Sequence, residues 1–281
     1  MNIGVIGCGI IGSRMARNWQ KAGHLVAGWN RTRAHAEGQG FPLVDSPLEL
    51  ARRSEVIMIV VADPPALQSV VTEICLTRLD GKVVMNASTV GPHDNQQAEQ
   101  AIRAAGGEFL ETPFTGSKGG AEAAKLVFYT GGDAALLKRM EPLLMQIGQK
   151  LFHFGPVGTA ADAKLIMNMM LANLMQAMAE GFVFARKAGL DPATFLDAYK
   201  VNAGYSVLAD MKCSTMLAGQ FETHFSLKHM DKDIRLSLER AHELKAACPL
   251  TERLKEIFSE GMARGWADED FSVLYRLANT K

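Results

Sequence analysis

Lys164, Asn168 and Asn173 interrupt a mostly apolar run, TAADAKLIMNMMLANLMQAMAEGFVFARKAG, that covers residues 159–189, and the first two stand four residues apart. Four residues make about one helical turn, so the ammonium and the carboxamide share a face and can converge on one small polar molecule. An amine so placed can protonate an oxygen that is gaining negative charge and stabilise it by its own charge. A second chemistry stands at the start of the chain. An apolar strand at 2–6 runs into Gly7-Cys8-Gly9-Ile10-Ile11-Gly12 and then into a helical pattern with Ile11, Met15 and Trp19 on one face. In that setting Gly7 allows the tight turn, Gly9 lets a pyrophosphate approach the backbone, and Gly12 lets the helix pack close to the strand. Gly7, Gly9, Ile10, Ile11 and Gly12 are therefore assigned to a dinucleotide. The next strand, 25–29, ends in Asn30-Arg31-Thr32-Arg33, with no acid for a ribose 2′-hydroxyl. A guanidinium fork suits a 2′-phosphate instead, so Asn30, Arg31 and Thr32, with Arg33 beside them, favour NADP(H), with NAD(H) as the lesser cofactor.

The elements that must hold these residues follow from the pattern between them. Strand and helix keep alternating: a helix after Ser46-Pro47, a strand at 55–61, a helix after Asp63-Pro64, a strand at 82–87, a helix at 92–105 and a strand at 108–111. A strand at 126–130, a helix at 133–147 and a strand at 150–154 complete the series. Such alternation predicts an α/β fold with a doubly wound, mostly parallel sheet of Rossmann type and ligands at the carboxyl ends of its strands. Three loops lie at such ends. Val61, Ala62 and Asp63 border the cofactor; Ser88-Thr89-Val90 follows the fourth strand; and TPFTGSKGG, 112–120, follows the fifth. In the last, Thr115, Gly116 and Ser117 can offer amides and hydroxyls to a carboxylate. Lys118 does not make it a triphosphate loop, because the G-x-x-x-x-G-K-[ST] spacing is absent.

The dinucleotide domain is placed at 1–158 and an all-helical domain at 159–281, with further helices at 192–201, 206–217, 230–246, 251–264 and 269–278. The helix joining them opens with Thr159 and Asp162 as a capping pair and closes at Arg186, Lys187 and Gly189. At ~40 Å it is long enough to touch two bodies. Its apolar residues, with Met167, Met169, Met170, Met175 and Met178 as adaptable filler, lie on every face, which predicts burial all round and a homo-oligomer, dimer or tetramer. Its polar interruptions keep the apolar run short of the ~18–20 residues of a membrane span.

The 281 residues are 48% hydrophobic and 21% charged, an ordinary globular balance, and 30 Lys plus Arg match 30 Asp plus Glu. No basic field favours nucleic acid or an anionic membrane, so the partners expected are small molecules and further copies of the chain. Cys8, Cys75, Cys213 and Cys248 are scattered with no C-x-x-C, which suits reduced thiols. With the first strand beginning at Asn2, a cytoplasmic location is expected. His224 and His229 stand five apart and no ligand spacing occurs elsewhere, so no metal is expected.

Taken together, GCGIIGSRMARNWQKAGH, WNRT, VVADP, STV, FLETPFTGSKGGAE, YTGG, FGPVGTAADAKLIMN and the later Phe225 with Asp231-Lys232-Asp233 resemble the β-hydroxyacid dehydrogenase family over the whole chain. The Asn-Arg-Thr and the GSK followed by AE look like the branch of NADPH-dependent glyoxylate and succinic semialdehyde reductases. The branches acting on 3-hydroxyisobutyrate or tartronate semialdehyde resemble it less. The resemblance implies that Lys164 is the general acid and base, that Asn168 binds substrate and orients the amine, and that Thr89, Thr115 and Gly116 lie around the substrate. It implies further that Phe225 and Asp233 close the far wall and that Lys232 reaches the cofactor. Thr115 departs from the serine common in the family and brings an extra methyl into the substrate loop. The expected reaction is the NADPH-dependent reduction of a short aldehyde acid to the hydroxy acid. The alternatives are another β-hydroxyacid dehydrogenase, an imine reductase, whose relatives usually lack this lysine, and a non-catalytic dinucleotide-binding module.

Overall fold

Short buried strands alternating with capped helices build the first unit, Met1–Lys164, of a computed structural model that describes residues 1–280. Its order is β1 (Asn2–Ile6), α1 (Gly12–Lys21), β2 (Leu25–Trp29), α2 (Pro47–Arg53), β3 (Val56–Ile59), α3 (Pro64–Ile74), β4 (Val83–Asn86), α4 (Pro92–Ala104), β5 (Glu108–Glu111), β6 (Phe114–Thr115), α5 (Ser117–Glu122), β7 (Leu126–Gly132), α6 (Ala134–Leu144) and β8 (Gly148–Gly155), before α7 (Thr159–Lys187) begins. The strands form one sheet in the order β2-β1-β3-β4-β5-β7-β6, with β8 alongside β7. It is parallel from β2 to β5; β7 then runs antiparallel to β5 and β6, and β8 parallel to β7. β3 and β4 read VIMI and VVMN without alternation and are buried throughout, as befits strands with helices on both faces. Because β2 lies on one side of β1 and β3 on the other, the chain reverses its winding at β1 and opens a crevice beyond the carboxyl ends.

Local chemistry fixes where the helices start. Ser46 accepts from the amide of Glu49 at 3.0 Å, Asp63 from Ala66 at 2.9 Å and Asp133 from Leu136 at 2.7 Å, and proline follows the cap in α2 and α3. One layer of core packs Val5, Met15, Trp19, Leu110 and Phe128; the other packs Ile6, Leu50, Ile57, Leu67 and Phe109. Each such side chain contributes ~1.5–3 kcal/mol by leaving water. The sequence expectation of a plain loop at 112–120 is corrected: Phe114 and Thr115 pair with Phe128 and Val127, and Ser117 starts the short α5. The edge-on packing of Phe114 on Phe128 holds that pairing, and a segment with one apolar anchor among small residues carries no periodicity to announce it.

The second unit, Leu165–Lys281, continues α7 and adds α8 (Pro192–Lys200), α9 (Val207–Leu217), α10 (Leu227–Glu243), α11 (Pro249–Ala263) and α12 (Tyr275–Thr280). Met175, Phe182, Met216, Met230, Ile234, Phe258 and Phe271 are among its core. The last expected helix, 269–278, is replaced by a 3-10 turn at Phe271–Leu274 followed by α12. The reason is that Asp270 takes the amide of Ser272, while the amides of Asp270 and Phe271 donate to Phe221 and Phe225. Burial of α7 on every face is likewise corrected for the single chain. Met175 and Met178 are buried, but Ile166, Met167, Met170, Leu171 and Phe184 leave an exposed apolar stripe. Among the described residues, no helix is long and apolar enough to cross a membrane.

Candidate active site

The glycine-rich turn after β1 shows which glycines the protein itself requires. Gly7 sits at φ +94°, and a Cβ there would lie 2.0 Å from the carbonyl oxygen of Val60; at Gly12 it would lie 2.1 Å from that of Gly7. At Gly9 a Cβ would meet no protein atom within 4 Å, so that glycine leaves the loop's outer side open to a ligand. The helix behind it, α1, has Ile11 at its N-cap and no side-chain cap; the amides of Ser13 and Arg14 donate to the carbonyls of Gly9 and Ile11, and the positive end of the helix faces the loop. The loop is braced on its protein side. Ser13 donates to Cys8 at 2.7 Å, Arg14 to Ile10 at 2.6 Å, and Arg14 pairs with Glu122 at 2.6 Å. Cys8 is fully buried, and burial pushes its thiol up to about 12, which keeps it protonated in the core. These features fit a dinucleotide pyrophosphate.

At the end of β2 the two arginines differ. Arg33 pairs with Asp45 at 3.0 Å and with Glu37 at 3.7 Å. Arg31 is exposed and makes no ion pair among the described residues. Asn30 donates its amide to the carbonyl of Thr32 at 2.8 Å and so shapes the turn that presents Arg31. After β3, the amide of Val61 donates to the Ser88 hydroxyl at 2.9 Å, and the Asn86 carbonyl takes the amide of Ser88 at 3.1 Å. The Asn86 amide in turn donates to Asn95 at 2.8 Å. This buried chain ties the Val61–Ala62–Asp63 loop to the half-buried Thr89. Sequence reasoning gave Asn86 and Asn95 no role, because a lone asparagine at a strand end carries no spacing signal. The Asp63 carboxylate caps α3. Thr115 and Gly116 are exposed and Ser117 is half-buried, with Gly116 at φ +128° and Ser117 at φ +48°. A serine held in the left-handed region stores strain, as binding loops often do.

Lys164 is half-buried in the second turn of α7. The start of that helix is not capped by Thr159, whose hydroxyl donates back to the carbonyl of Pro156 at 2.7 Å. This corrects the expected capping pair. Glu111, the buried last residue of β5, takes the role: its Oε1 accepts from Gly158 at 2.9 Å and from Ala160 at 2.7 Å. Burial pushes the Glu111 carboxyl up to about 7, against the hydrogen bonds from Ala160, Gly158 and Ala161, which lower it, and with help from the nearby Asp162.

In the second unit three predicted residues meet. The Asn168 amide donates to Asp233 Oδ2 at 2.6 Å, and Lys232 Nζ lies 3.0 Å from Asp233 Oδ1. Asp233 thereby orients both, leaving the Asn168 carboxamide oxygen for any further contact. Phe225 stacks on His229 with ring centroids 6.2 Å apart, and His229 is held neutral to lower pH by burial and by the ammonium groups of Lys232 and Lys228. Phe225 owes its place to a group that sequence reasoning missed. Asp270 accepts from the amides of His224 and Phe225, both at 3.1 Å, and is paired at 2.7 Å with Lys212. Burial pushes the Asp270 carboxyl up, but Lys212 and these hydrogen bonds outweigh it and hold it below the usual range. Lys212 and Asp270 lie 58 residues apart, too far for any local pattern to pair them.

Comparison with known proteins adds to this geometry. Residues 2–155 match the NAD binding domain of 6-phosphogluconate dehydrogenase, and residues 158–278 the NAD-binding domain of NADP-dependent 3-hydroxyisobutyrate dehydrogenase. The chain is 33% identical to glyoxylate/succinic semialdehyde reductase 1 of Arabidopsis thaliana, over 98% of this chain and 97% of that one. It is equally identical to the chloroplastic reductase 2 of the same plant, over 98% of this chain and 78% of that one. A solved Mycobacterium tuberculosis 3-hydroxyisobutyrate dehydrogenase with L-serine superposes with a TM-score of 0.89 at 26% identity, covering 98% of each chain.

Proposed function

Because the chain belongs to the β-hydroxyacid dehydrogenase family and is an NAD(P)-dependent oxidoreductase, we propose that it reduces a short aldehyde acid, glyoxylate or succinic semialdehyde, to the corresponding hydroxy acid with NADPH. The observation that carries this reading is a half-buried amine, Lys164, on the anchored first turns of α7, in a unit that also holds the open glycine loop. The nicotinamide, when bound, supplies the hydride for the aldehyde carbon. Lys164, as ammonium, gives its proton to the carbonyl oxygen and draws the developing negative charge toward itself. Gly7, Gly9, Ile10, Ile11 and Gly12 would hold the pyrophosphate, and Asn30, Arg31 and Thr32 the 2′-phosphate. Val61, Ala62, Asp63 and Lys232 would border the remainder of the cofactor. Thr89, Thr115, Gly116, Ser117, Asn168, Phe225 and Asp233 would bind and orient the substrate, whose carboxylate suits the amides and hydroxyls at 115–117.

We propose also that the exposed stripe on α7 buries itself in a homo-oligomer, and that the enzyme works in the cytoplasm. The test of function is a panel of short aldehyde acids and cyclic imines assayed with NADPH and NADH, beside 3-hydroxyisobutyrate assayed in the oxidative direction with NADP+ and NAD+. The highest kcat/KM is expected for an aldehyde acid with NADPH. Turnover of imines alone, or of 3-hydroxyisobutyrate alone with NAD, would overturn the reading. In the same assay Lys164→Ala should lower kcat about 10²- to 10⁴-fold while NADPH still binds.

A further inference from the structure

Three motifs of the sequence, FLETP, YTGG and FGPVG, have no part in the scheme above, and the structure brings all three to one point. Glu111 ends β5, and its carboxylate lies inside the protein, with Oε2 buried and without a hydrogen-bond partner. Gly131 on β7 pairs with Glu111 across the antiparallel ladder. A Cβ on Gly131 would stand 2.2 Å from Glu111 Oε1 and 2.9 Å from its carboxyl carbon, so the glycine is what gives the carboxylate its space. The register of β7 against β8 also shifts between Thr130 and Gly131. Gly158, at φ +105°, turns the chain into α7 and donates its amide to the same Oε1 that accepts from Ala160. Lys164 follows Ala160 by one turn of that helix.

We propose that Glu111 is the positioning residue for Lys164: by taking the amides of Gly158 and Ala160 on one oxygen, in the space Gly131 leaves, it fixes the helical turn that carries the amine. This rests on the reading of Lys164 as the general acid. Glu111 touches neither substrate nor cofactor in this scheme. It acts on the amine through the first turn of α7, where the amides have no intrahelical acceptor. What the clasp requires is an acceptor oxygen at that reach and not a negative charge, since a neutral carboxyl and a carboxamide each present a carbonyl oxygen.

The experiment compares Glu111→Gln, Glu111→Asp and Glu111→Leu in the full chain, with kcat, the KM for substrate, the Kd for NADPH and the exchange rates of the Gly158 and Ala160 amides as readouts. Glu111→Gln keeps the acceptor and is expected to hold kcat within about threefold. Glu111→Asp keeps the charge but withdraws the oxygen by one methylene, and is expected to lose about 10- to 100-fold in kcat, the scale of a misplacement near 1 Å, with the NADPH Kd within about twofold. In Glu111→Asp and Glu111→Leu the two amides should exchange at least about tenfold faster. Full activity in Glu111→Asp with activity lost in Glu111→Gln would overturn the proposal in favour of a charge effect, and amides unmoved in Glu111→Leu would overturn it outright. Should Glu111→Leu fail to fold, the Gln and Asp pair decides alone. Adding Gly131→Ala to Glu111→Asp should slow kcat less than Gly131→Ala slows the wild type, because the shorter side chain vacates the space; a simple product of the two losses would count against the clasp. Lys164→Ala with wild-type kcat would sink the reading of the amine, while the amide exchange would still report the clasp separately.

Discussion

Replacing Glu111 by glutamine should change how stability depends on pH, and the structure sets the size. Burial raises the carboxyl from an ordinary 4.5 to about 7, and Asp162, the charged neighbour, pushes the same way. A group raised that far favours its protonated form in the folded chain by ~3 kcal/mol. Between pH 4.5 and 7 the folded chain keeps this proton and the unfolded chain does not, so raising the pH through that window works against folding. The stabilisation is fully present below pH 4.5, is lost as the pH passes 7, and stays lost above it. Glutamine carries no such proton. Urea unfolding of the wild type and Glu111→Gln at pH 5 and pH 8, followed by the fluorescence of the buried Trp19, should therefore show the variant gaining ~2.5 kcal/mol on the wild type between the two conditions. An equal difference at pH 5 and pH 8 would mean that this carboxyl titrates alike in both states, and the account of its burial would be wrong.

Arg31→Ala should lower the ratio of kcat/KM for NADPH over NADH by about 10- to 100-fold, the worth of a charge-assisted hydrogen bond to phosphate, and an unchanged ratio would place the 2′-phosphate elsewhere. Lys212→Met leaves the Asp270 carboxylate buried beside the amides of His224 and Phe225. It should destabilise by ~3–5 kcal/mol in chemical denaturation, and restored stability in Lys212→Met with Asp270→Asn would identify the stranded charge as the cause. Phe184→Glu places a charge in the exposed stripe of α7 and should reduce the mass read by light scattering to that of one chain, 30.5 kDa; a wild type already at that mass would remove the oligomer from the scheme.

The parts of this molecule that were legible in the sequence are those that depend on neighbours in the chain. The strand-turn-helix at Gly7 to Gly12 follows from residues within one turn of each other, and so do the helix starts at Ser46 and Asp63. The alternation of β3 through α4 follows equally from local hydrophobic pattern. What the sequence concealed is carried across distance. Glu111 caps a helix that begins 48 residues later, and Asp270 holds an amide 45 residues earlier. In the first, a buried carboxylate replaces a local cap, and the replaced local candidate, Thr159, reads the same whether it caps or not. The short α5 escaped for another reason: its six residues, four of them small and two charged, form no apolar stripe. Membership of the family was visible because its motifs keep their order, whereas a substrate is chosen by the shape of a pocket, which no run of residues records.

The anchoring of Phe225 by Asp270 bears on how the protein is made. Phe225 leaves the ribosome well before Asp270 does, and until Asp270 emerges the amides of His224 and Phe225 have no acceptor and the Lys212 ammonium no counter-charge. The first unit, complete by Lys164, can settle during synthesis, while the segment that carries Phe225 waits for residues translated afterwards. Ribosomes stalled between these two codons would therefore display a nascent chain whose amino-terminal unit is protected from protease while the stretch around Phe225 is still cut.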